Sequence, residues 1–399
     1  MSVLQSTPEL TPVLPGLYQA PHVRVLTLTP FYPNQANPAQ GCFIAEPLHE
    51  MERLGVITEV FAAQPFYRGP VQNLSAKIKC EWDRHFCLPG NFGLYTAGAF
   101  LAGSVSQKIR SAHQERPFDL IHAHAALPCG HAAMIISRQL GIPYVVSAHG
   151  LDVFSTHQVK GRFGSWCEKL STEVYRNAQR VVCVSEGVRR QVEAKLSVRT
   201  VVVYNGVDTR RFSPGHESDP PVVLSVGNLI PTKGQAALLR AFANLLLQVP
   251  GCVLEIIGEG PERGALEQLA EDLHIASQIR FQGRQTRNEV ASAMRQCAIF
   301  ALPSYYEALG CVYLEAMASG KAVIACQGQG IAEIIAHGRN GWLISPGNEA
   351  ELANALTALL KDREFRDRLG SSARETVVSK HTLSFQAKQL ADVYRECVK

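Results

Sequence analysis

Residues 297–325, CAIFALPSYYEALGCVYLEAMASGKAVIA, predict a strand, a loop, a helix and a second strand in direct succession. The apolar run at 297–303 ends at Pro303, and the helix begins near Gly310 and ends at Gly320, since proline and glycine commonly mark the ends of regular elements. Strands that alternate with helices are typical of a parallel sheet with helices on both faces. This stretch therefore predicts an α/β fold with a loop at a strand end, where such sheets bind their ligands.

Two carboxylates, Glu307 and Glu315, lie eight positions apart around the predicted start of this helix. The first turn leaves the N–H groups of Gly310, Cys311 and Val312 without intrahelical partners and carries partial positive charge, which favours a phosphate. A carboxylate accepts hydrogen bonds from two neighbouring hydroxyls, so the two glutamates suit a sugar and a ribose on either side of a diphosphate. The alternative is that Glu307 caps the helix and Glu315 is a solvated surface residue.

The same alternation occurs twice along the chain. Six β-branched runs come first: VRVLTLT (23–29), VITEVFA (56–62), FDLIHAH (118–124), PYVVSAH (143–149), RVVCVS (180–185) and TVVVYN (200–205). Six more follow a stretch rich in Gly, Pro and Asp: PVVLSVG (221–227), CVLEIIG (252–258), QIRFQG (278–283), CAIFALP (297–303), KAVIAC (321–326) and GWLISP (341–346). Segments of helical period, such as 43–55 and 129–141, separate the runs. Two similar α/β units therefore enclose a cleft.

We divide the chain into a loose leader at 1–22, a first domain at 23–205, a linker at 206–221, a second domain at 222–381 and a C-terminal amphipathic helix at 382–399. The leader is rich in proline and lacks the basic start and apolar core of a signal peptide. No apolar run reaches the roughly 18 residues that a membrane-spanning helix needs.

Composition indicates a globular enzyme of the cytoplasm. The chain has 399 residues, of which 46% are hydrophobic and 19% charged, enough for two domains with sizeable cores. Its eleven cysteines have no paired spacing, which indicates reduced thiols in a cytoplasmic protein.

Charge is concentrated in the first half. Residues 1–205 contain 19 Lys and Arg against 14 Asp and Glu, whereas residues 206–399 contain 20 against 21. A solvated surface explains this modest excess as readily as an acidic partner does, and we expect no nucleic-acid partner. The apolar segment 92–105, followed by Lys108 and Arg110, would suit peripheral docking on the anionic inner face of a membrane. The alternative is that the segment forms a buried helix, which is equally compatible with its composition.

Loops at the ends of the first-domain strands contain two candidate residues. Gly41 opens a helix after the first strand, where glycine lets the backbone approach a phosphate. His149 follows the strand at 143–149, next to a glycine. His122 and His124 alternate along one strand and lack a Cys or carboxylate cluster, so packing and hydrogen bonding are favoured over metal binding.

Loops of the second domain carry the remaining candidates. Lys233 precedes Gly234 at a helix start, from where its flexible ammonium can reach a diphosphate, although the spacing is not that of a P-loop. Gly258 and Arg284 follow two further strands. Nowhere does Asp-x-Asp occur, so the paired acidic ligands that hold a divalent metal in many sugar transferases are missing. We therefore expect no metal and no cofactor, with Lys233 and helix N–H groups neutralising the leaving group.

Taken together, these motifs resemble the retaining glycosyltransferases of family 4, which have the GT-B fold. The resemblance runs from the first strand to the tail helix. It depends mainly on ALPSYYEALGCVYLEAMASGKAVIA (301–325), VYNGVDTRRFSP (203–214) and VGNLIPTKG (226–234), with support from SAHGLDV (147–153) and VCVSEGVRRQV (182–192). It implies two Rossmann-like αβα domains across a cleft, with the C-terminal helix crossing back to the first domain.

The resemblance also implies roles. Glu307 contacts the hydroxyls of the transferred sugar, Glu315 the ribose, and Lys233 with Gly310 to Val312 the diphosphate. The backbone at Arg284 meets the base, Gly258 belongs to the same site, Gly41 closes from the first domain and His149 lies near the reacting carbon. The donor is a nucleoside-diphosphate sugar, with UDP favoured over GDP, and the hydroxyl acceptor is lipid-linked or an oligosaccharide on the first-domain side, at 63–116. Transfer retains the anomeric configuration.

One residue departs from the family pattern. Most members have an arginine where this chain has Asn228, so the resemblance implies that the diphosphate site of this chain has one cation fewer. Branches that make cell-surface polysaccharide share this GNLIP form, so we interpret Asn228 as a mark of that subgroup. Two rival functions are a glycan phosphorylase, which needs a pyridoxal-binding lysine and a longer chain, and a non-catalytic sugar-nucleotide sensor.

Overall fold

The computed structural model describes residues 22–73, 78–89, 93–155 and 159–398. All but the last residue of the predicted leader lies outside these ranges. Within them the chain forms two parallel sheets covered by helices, and this confirms the predicted α/β, GT-B-like architecture.

The first sheet has seven parallel strands in the order β3-β2-β1-β4-β5-β6-β7. Their bounds are Val23–Thr29 (β1), Val56–Pro65 (β2), Cys80–His85 (β3), Leu120–His124 (β4), Tyr144–Ala148 (β5), Arg180–Cys183 (β6) and Thr200–Val202 (β7). The helices of this domain are Cys42–Arg53 (α1), Leu94–Glu115 (α2), His131–Leu140 (α3), Gly161–Asn177 (α4) and Glu186–Glu193 (α5). The central strands are buried along their whole length, as expected for a sheet covered on both faces.

The second sheet has six parallel strands in the order β10-β9-β8-β11-β12-β13. Their bounds are Val222–Val226 (β8), Val253–Ile257 (β9), Ile279–Gly283 (β10), Ile299–Ala301 (β11), Ala322–Cys326 (β12) and Trp342–Ile344 (β13). Six helices complete this half: Gln235–Leu246 (α6), Arg263–Asp272 (α7), Arg287–Gln296 (α8), Cys311–Ala318 (α9), Glu349–Lys361 (α10) and Arg363–Lys380 (α11).

Strand order reverses at equivalent places in the two sheets, between β1 and β4 and between β8 and β11. At such a switch point the loops after neighbouring strands diverge to opposite faces and leave a crevice at the carboxyl edge. The opening stretch 297–325 supplies β11, α9 and β12 at the switch point of the second sheet. The loop that contains Glu307 therefore lies where an open α/β sheet binds its ligand.

The last helix, α12 (Leu383–Cys397), returns to the first domain, as predicted. It packs beside α1, with Ala387, Leu390 and Ala391 in one apolar cluster with β1 and β2 residues. The hydroxyl of Tyr394 lies 2.5 Å from Nδ1 of His122 in β4. A helix that begins at the end of the second domain thus ties the two halves of the chain together.

One face of the predicted apolar segment 92–105 is buried in the core of the first domain. Residues 93–105 lie at the start of α2, where Ala97, Leu101, Ala102 and Val105 are buried, while position 92 lies outside the described residues. The other face of α2 exposes Tyr95 and Phe100. No helix in the part of the chain that the structure describes is long and apolar enough to span a membrane.

Candidate active site

A cavity of about 340 Å³ opens at the carboxyl edge of the second sheet. Nine of the eleven predicted site residues line it: Asn228, Lys233, Gly258, Arg284, Glu307, Gly310, Cys311, Val312 and Glu315. Asn37 and Ala39, in the loop after β1, line its first-domain side. We call this space the donor cavity. Its volume suits a small organic ligand.

Lys233 and Glu307 form an ion pair in the donor cavity, with Nζ 2.6 Å from Oε1. Ser304 donates a second hydrogen bond to the same oxygen at 3.0 Å, and the side chain of Glu307 is only 10% exposed. Since both bonds fall on Oε1, Oε2 remains for a ligand. An ammonium has three donors, so Lys233 retains two for a phosphate after pairing with Glu307.

Close backbone contacts hold these loops together. Gly234, at the start of α6, adopts φ +72°, and a Cβ there would lie 2.2 Å from the carbonyl oxygen of Pro303. The N–H of Tyr305 donates to the carbonyl of Thr232 at 2.8 Å. A residue with a side chain at 234 would push the Lys233 loop away from the Glu307 loop, so the glycine is needed for the pair to form.

The first turn of α9 faces the donor cavity. Gly310 precedes it with φ +86°, and no described residue accepts a hydrogen bond from the N–H groups of Gly310, Cys311 and Val312. The helix therefore presents unpaired donors and the positive end of its dipole to the space beside Lys233. This arrangement is suited to a diphosphate.

Glu315 belongs to an ion-pair network that crosses between the domains. It pairs with Arg287 at the start of α8, and Arg287 also contacts Glu46 of α1 through two bonds of 3.2 Å. Arg211, in the linker, reaches the same Glu46 at 2.7 Å. Burial raises the pKa of Glu315, while Arg287 opposes that rise. Glu315 is therefore a buried, paired carboxylate and not the solvated surface residue of the alternative interpretation.

Gly41 and His149 do not line the donor cavity. Gly41 stands at the start of α1 with φ +67°, and a Cβ there would lie 2.4 Å from the carbonyl oxygen of Phe31. His149 lies beside the rings of Phe31 and Phe43. Its neighbour Gly150 approaches the second domain so closely that an added Cβ would lie 2.6 Å from Cβ of Ala308. Both residues thus belong to the first-domain wall of the cleft.

His149 ends a buried chain of polar side chains. Its Nε2 lies 3.1 Å from Nδ1 of His124, while His122 contacts Ser147 at 2.7 Å and Tyr394. Burial lowers the pKa of His149 to about 4 and that of His122 to about 3, so both are neutral at neutral pH. These histidines hydrogen-bond with one another and with hydroxyls, as the favoured interpretation predicts. Within the described ranges, no group of three or more His, Cys, Asp or Glu could hold a metal ion.

A second contact joins the domains on the other side of Glu307. The carboxylate of Glu333 accepts hydrogen bonds from the N–H groups of Glu186 at 2.8 Å and Gly187 at 2.6 Å, at the start of α5. A second cavity of about 390 Å³ lies beside this contact and shares Glu307 with the donor cavity. Glu307 therefore lies between two spaces.

The sequence analysis does not identify Arg287, Glu46 or Glu333. A signal exists for Arg287: Thr286 and Glu289 form a capping box, which places Arg287 in the first turn of a helix directly after a strand end. Glu46 has no comparable signal, because it is a helix residue whose partner lies 241 positions away.

Comparison with known proteins identifies the family. A model described as Glycosyltransferase Family 4 matches residues 48–211, and one described as Glycosyl transferases group 1 matches residues 207–376. The chain is 32% identical over 258 residues to an uncharacterized glycosyltransferase of Methanocaldococcus jannaschii, covering 64% of this chain and 70% of that protein. It is 30% identical over 240 residues to the lipopolysaccharide core biosynthesis glycosyltransferase LpsE of Rhizobium meliloti, covering 58% and 67%.

A solved structure supports the fold. Anabaena HepE in complex with UDP-glucose superposes with a TM-score of 0.73 at 22% identity, covering 94% of this chain and 100% of that one. Sequence and structure therefore lead to the same conclusion, that this chain belongs to glycosyltransferase family 4 and has the GT-B fold.

Proposed function

We propose that the protein transfers a sugar from a nucleoside-diphosphate sugar to a hydroxyl acceptor, with retention of anomeric configuration and without a metal ion. The observation that carries this proposal is the donor cavity itself. A paired ammonium and carboxylate, an uncapped helix start and a second buried carboxylate line one space of about 340 Å³. The ammonium and the helix start match the diphosphate, the paired carboxylate matches the sugar, and the second carboxylate matches the ribose.

The donor would lie across the start of α9. Gly310 to Val312 and the two remaining donors of Lys233 would hold the diphosphate. Oε2 of Glu307 would accept from the sugar hydroxyls, Glu315 from the ribose, and the backbone at Arg284 and Gly258 would lie near the base. His149 and Gly41 would border the sugar from the first domain.

The transfer would proceed on one face of the sugar. The bond between the anomeric carbon and the phosphate oxygen breaks, and the acceptor oxygen forms a bond to the same carbon from the same side. The departing phosphate oxygen takes the proton of the acceptor, so the products are a glycoside and a nucleoside diphosphate. The protein contributes positioning and charge stabilisation.

The absence of Asp-x-Asp from the sequence supports a reaction that needs no metal ion. Lys233 and the N–H groups of α9 would supply positive charge to the leaving group instead.

UDP is the favoured nucleoside diphosphate of the donor, with GDP as the alternative, and HepE was solved with UDP-glucose. A lipid-linked or oligosaccharide acceptor of a cell-surface polysaccharide is proposed from the similarity to LpsE. We place the protein in the cytoplasm.

A ligand panel followed by an activity assay tests the proposal. Among UDP- and GDP-sugars, the donor should raise the melting temperature, since a ligand at about 100 times its Kd adds about 2.7 kcal/mol. Release of nucleoside diphosphate should then depend on an acceptor, persist in EDTA and give a product whose anomeric proton coupling in NMR matches that of the donor. Stimulation of about tenfold or more by Mg²⁺ or Mn²⁺ would contradict the metal-free mechanism.

A non-catalytic sensor is the second candidate, because Asn228 lines the donor cavity at the position where the family pattern has an arginine. Binding of a sugar nucleotide without release in the presence of any hydroxyl acceptor, including lipid-linked saccharides, would favour the sensor.

A further inference from the structure

An aromatic surface covers part of the first domain. Eight large apolar side chains there are 39% to 51% exposed: Phe66, Tyr67, Phe86, Leu88, Tyr95, Phe100, Phe163 and Trp166. We call these eight residues the aromatic patch. The described residues expose fourteen large apolar side chains in all, so more than half of them are concentrated in this patch. Such concentration marks an interaction site, since soluble surfaces usually scatter exposed apolar residues.

The rings of the patch contact one another. Phe86 lies 5.3 Å from Phe66 and 5.0 Å from Phe100, measured between ring centroids. Trp166 lies 5.6 Å from Tyr95 and 5.3 Å from Phe163. Tyr95 and Phe100 both belong to α2, separated by about 7.5 Å of helical rise, so one helix carries a member of each group. The patch therefore consists of two packed groups of rings and not of isolated side chains.

Basic residues accompany the rings. The four stretches 66–68, 84–88, 94–100 and 160–166 contain Arg68, Arg84, Lys160 and Arg162 and no acidic residue. All four basic side chains are exposed, and none has a carboxylate partner among the described residues. The nearest acids along the chain are occupied: Asp83 is buried and accepts from Ser104, and Glu168 pairs with Lys195. The patch therefore combines aromatic rings with net positive charge.

The patch lies at the edge of the sheet that borders the cleft. β2 ends at Pro65 and β3 at His85, directly before Phe66 and Phe86, while α2 and α4 begin at the same edge. Because all strands of this sheet are parallel, this is also the edge where β1 and β5 lead to Gly41 and His149. A surface docked on the patch would adjoin the cleft opening.

We propose that the aromatic patch docks on an anionic phospholipid surface and so holds the cleft opening next to a lipid-linked acceptor. The membrane contact stands by itself, and the role for the acceptor rests on the proposed function. Tyr and Trp prefer the interface between headgroups and acyl chains, and exposed Lys and Arg are attracted to anionic lipid.

Two other occupants fit less well. A neutral glycan chain can stack on the rings, but it leaves the four exposed basic side chains without an anionic partner. A second copy of the chain would place the patch against itself in a symmetric dimer, which brings eight basic side chains together without acids. An anionic lipid surface satisfies both the rings and the charges.

Vesicle binding by the full chain is the test. The protein should co-sediment at low salt with vesicles of phosphatidylcholine and phosphatidylglycerol and remain in solution with phosphatidylcholine alone. Trp166 is the exposed one of the three tryptophans, so its emission should shift to the blue on binding. Arg68→Ser with Arg162→Ser should weaken binding roughly 30-fold, on the basis of the attraction of anionic lipid for each basic side chain.

Matched variants separate the patch from general surface effects. Phe86→Ser, Phe100→Ser and Trp166→Ser together should abolish sedimentation. The control combines Phe385→Ser with Arg363→Ser, which change an exposed ring on α12 and an exposed arginine on α11, and it should bind vesicles like the parent. Every variant should bind nucleoside diphosphate like the parent, which shows that it is folded and tests the donor cavity separately.

Three results would overturn the inference. The first is that the parent protein does not bind anionic vesicles at low salt. The second is that the triple patch variant binds them as well as the parent does. The third is a parent dimer in light scattering that becomes a monomer in the patch variant, since this would assign the surface to a second copy.

Discussion

The donor cavity and the aromatic patch hold their charges in opposite ways. In the cavity each cation has a carboxylate partner: Lys233 with Glu307, Arg284 with Glu259 and Arg287 with Glu315. In the patch the basic side chains are exposed and have no such partner among the described residues. Paired charges have fixed geometry and can orient one ligand, whereas unpaired charges on flexible side chains attract any extended anionic surface. The comparison predicts that substitutions in the donor cavity alter transfer of the sugar, and that substitutions in the aromatic patch alter binding to a membrane surface.

The largest effect is expected for Glu307→Gln. In its proposed role the Glu307 carboxylate accepts charge-assisted hydrogen bonds from the sugar, so transfer should fall at least about 100-fold, equivalent to about 3 kcal/mol of lost stabilisation. Steady-state transfer to a soluble acceptor is the measurement. Glu349→Gln, which alters an exposed carboxylate paired with Arg240, is the control and should keep full activity. The triple patch variant should keep the parent's affinity for nucleoside diphosphate, and a loss of that affinity would break the division between the two regions.

Arg287→Ala should have the next largest effect, on stability. It removes the partner of Glu315, whose side chain is 6% exposed, and a buried carboxylate left unpaired costs about 3–5 kcal/mol. The urea midpoint should fall accordingly. Arg240→Ala breaks a pair of 3.0 Å whose members are 46% and 37% exposed, so it should cost under about 1 kcal/mol. Equal midpoints for the two variants would mean that the network between the domains adds no stability.

Stability should decrease as the pH falls from about 6.5 to about 4. Burial lowers the pKa of His149 and His381 to about 4 and that of His122 to about 3. The unfolded chain therefore binds more protons in this range, and acid favours unfolding. Burial raises the pKa of Asp152 to about 6 and also raises the pKa of Glu255 and Glu315, and these three carboxyls work in the opposite sense. Burial also lowers the pKa of His85, His124 and His131, so six histidines outnumber them.

Urea midpoints across this pH range measure the effect. His122→Gln should reduce the pH dependence, because it removes one buried histidine with a lowered pKa. A midpoint that rises towards pH 4 would contradict the assignment of neutral buried histidines.

The smallest effect is expected for Asn228→Arg. Asn228 is exposed and lines the donor cavity, so an arginine there would add a cation beside the diphosphate. Nucleoside diphosphate should bind up to about tenfold more tightly, equivalent to 1.4 kcal/mol, and with a steeper dependence on salt. Turnover should fall where release of the nucleoside diphosphate limits the rate. Unchanged affinity in a folded variant would mean that residue 228 points away from the phosphates.

Site residues that lie close together in the sequence could be predicted from the sequence alone. Glu307, Gly310 and Glu315 lie in one strand–loop–helix unit, so their placement in one cavity follows from spacing alone. Lys233 joins them because the parallel strands end at one edge. Strand β3 is missed, since its sequence CEWDRH carries three charges and lies at the edge of the sheet.

Contacts between distant segments are beyond such prediction. The pair of Glu46 and Arg287 joins two helices of different domains, and neither helix signals the other. The aromatic patch combines four stretches spread over 66–166, each with only two or three large apolar residues. The composition of 92–105 leaves membrane docking and a buried helix equally open. It cannot show that Phe100 contacts Phe86, directly after β3, or that Tyr95 contacts Trp166 of α4.

Calorimetric titration of UDP, or of GDP if UDP does not bind, tests the central claim most directly. The parent should bind. Lys233→Ala should bind about 10- to 100-fold more weakly, because it loses a charge-assisted contact of about 1.5–3 kcal/mol. Lys361→Ala, an exposed control on α10, should bind like the parent, and Glu307→Gln should bind equally or more tightly because an anion beside the phosphate is gone. Parent-like affinity in Lys233→Ala, or an equal loss in Glu307→Gln, would contradict the assignment of the diphosphate to Lys233 and the sugar to Glu307.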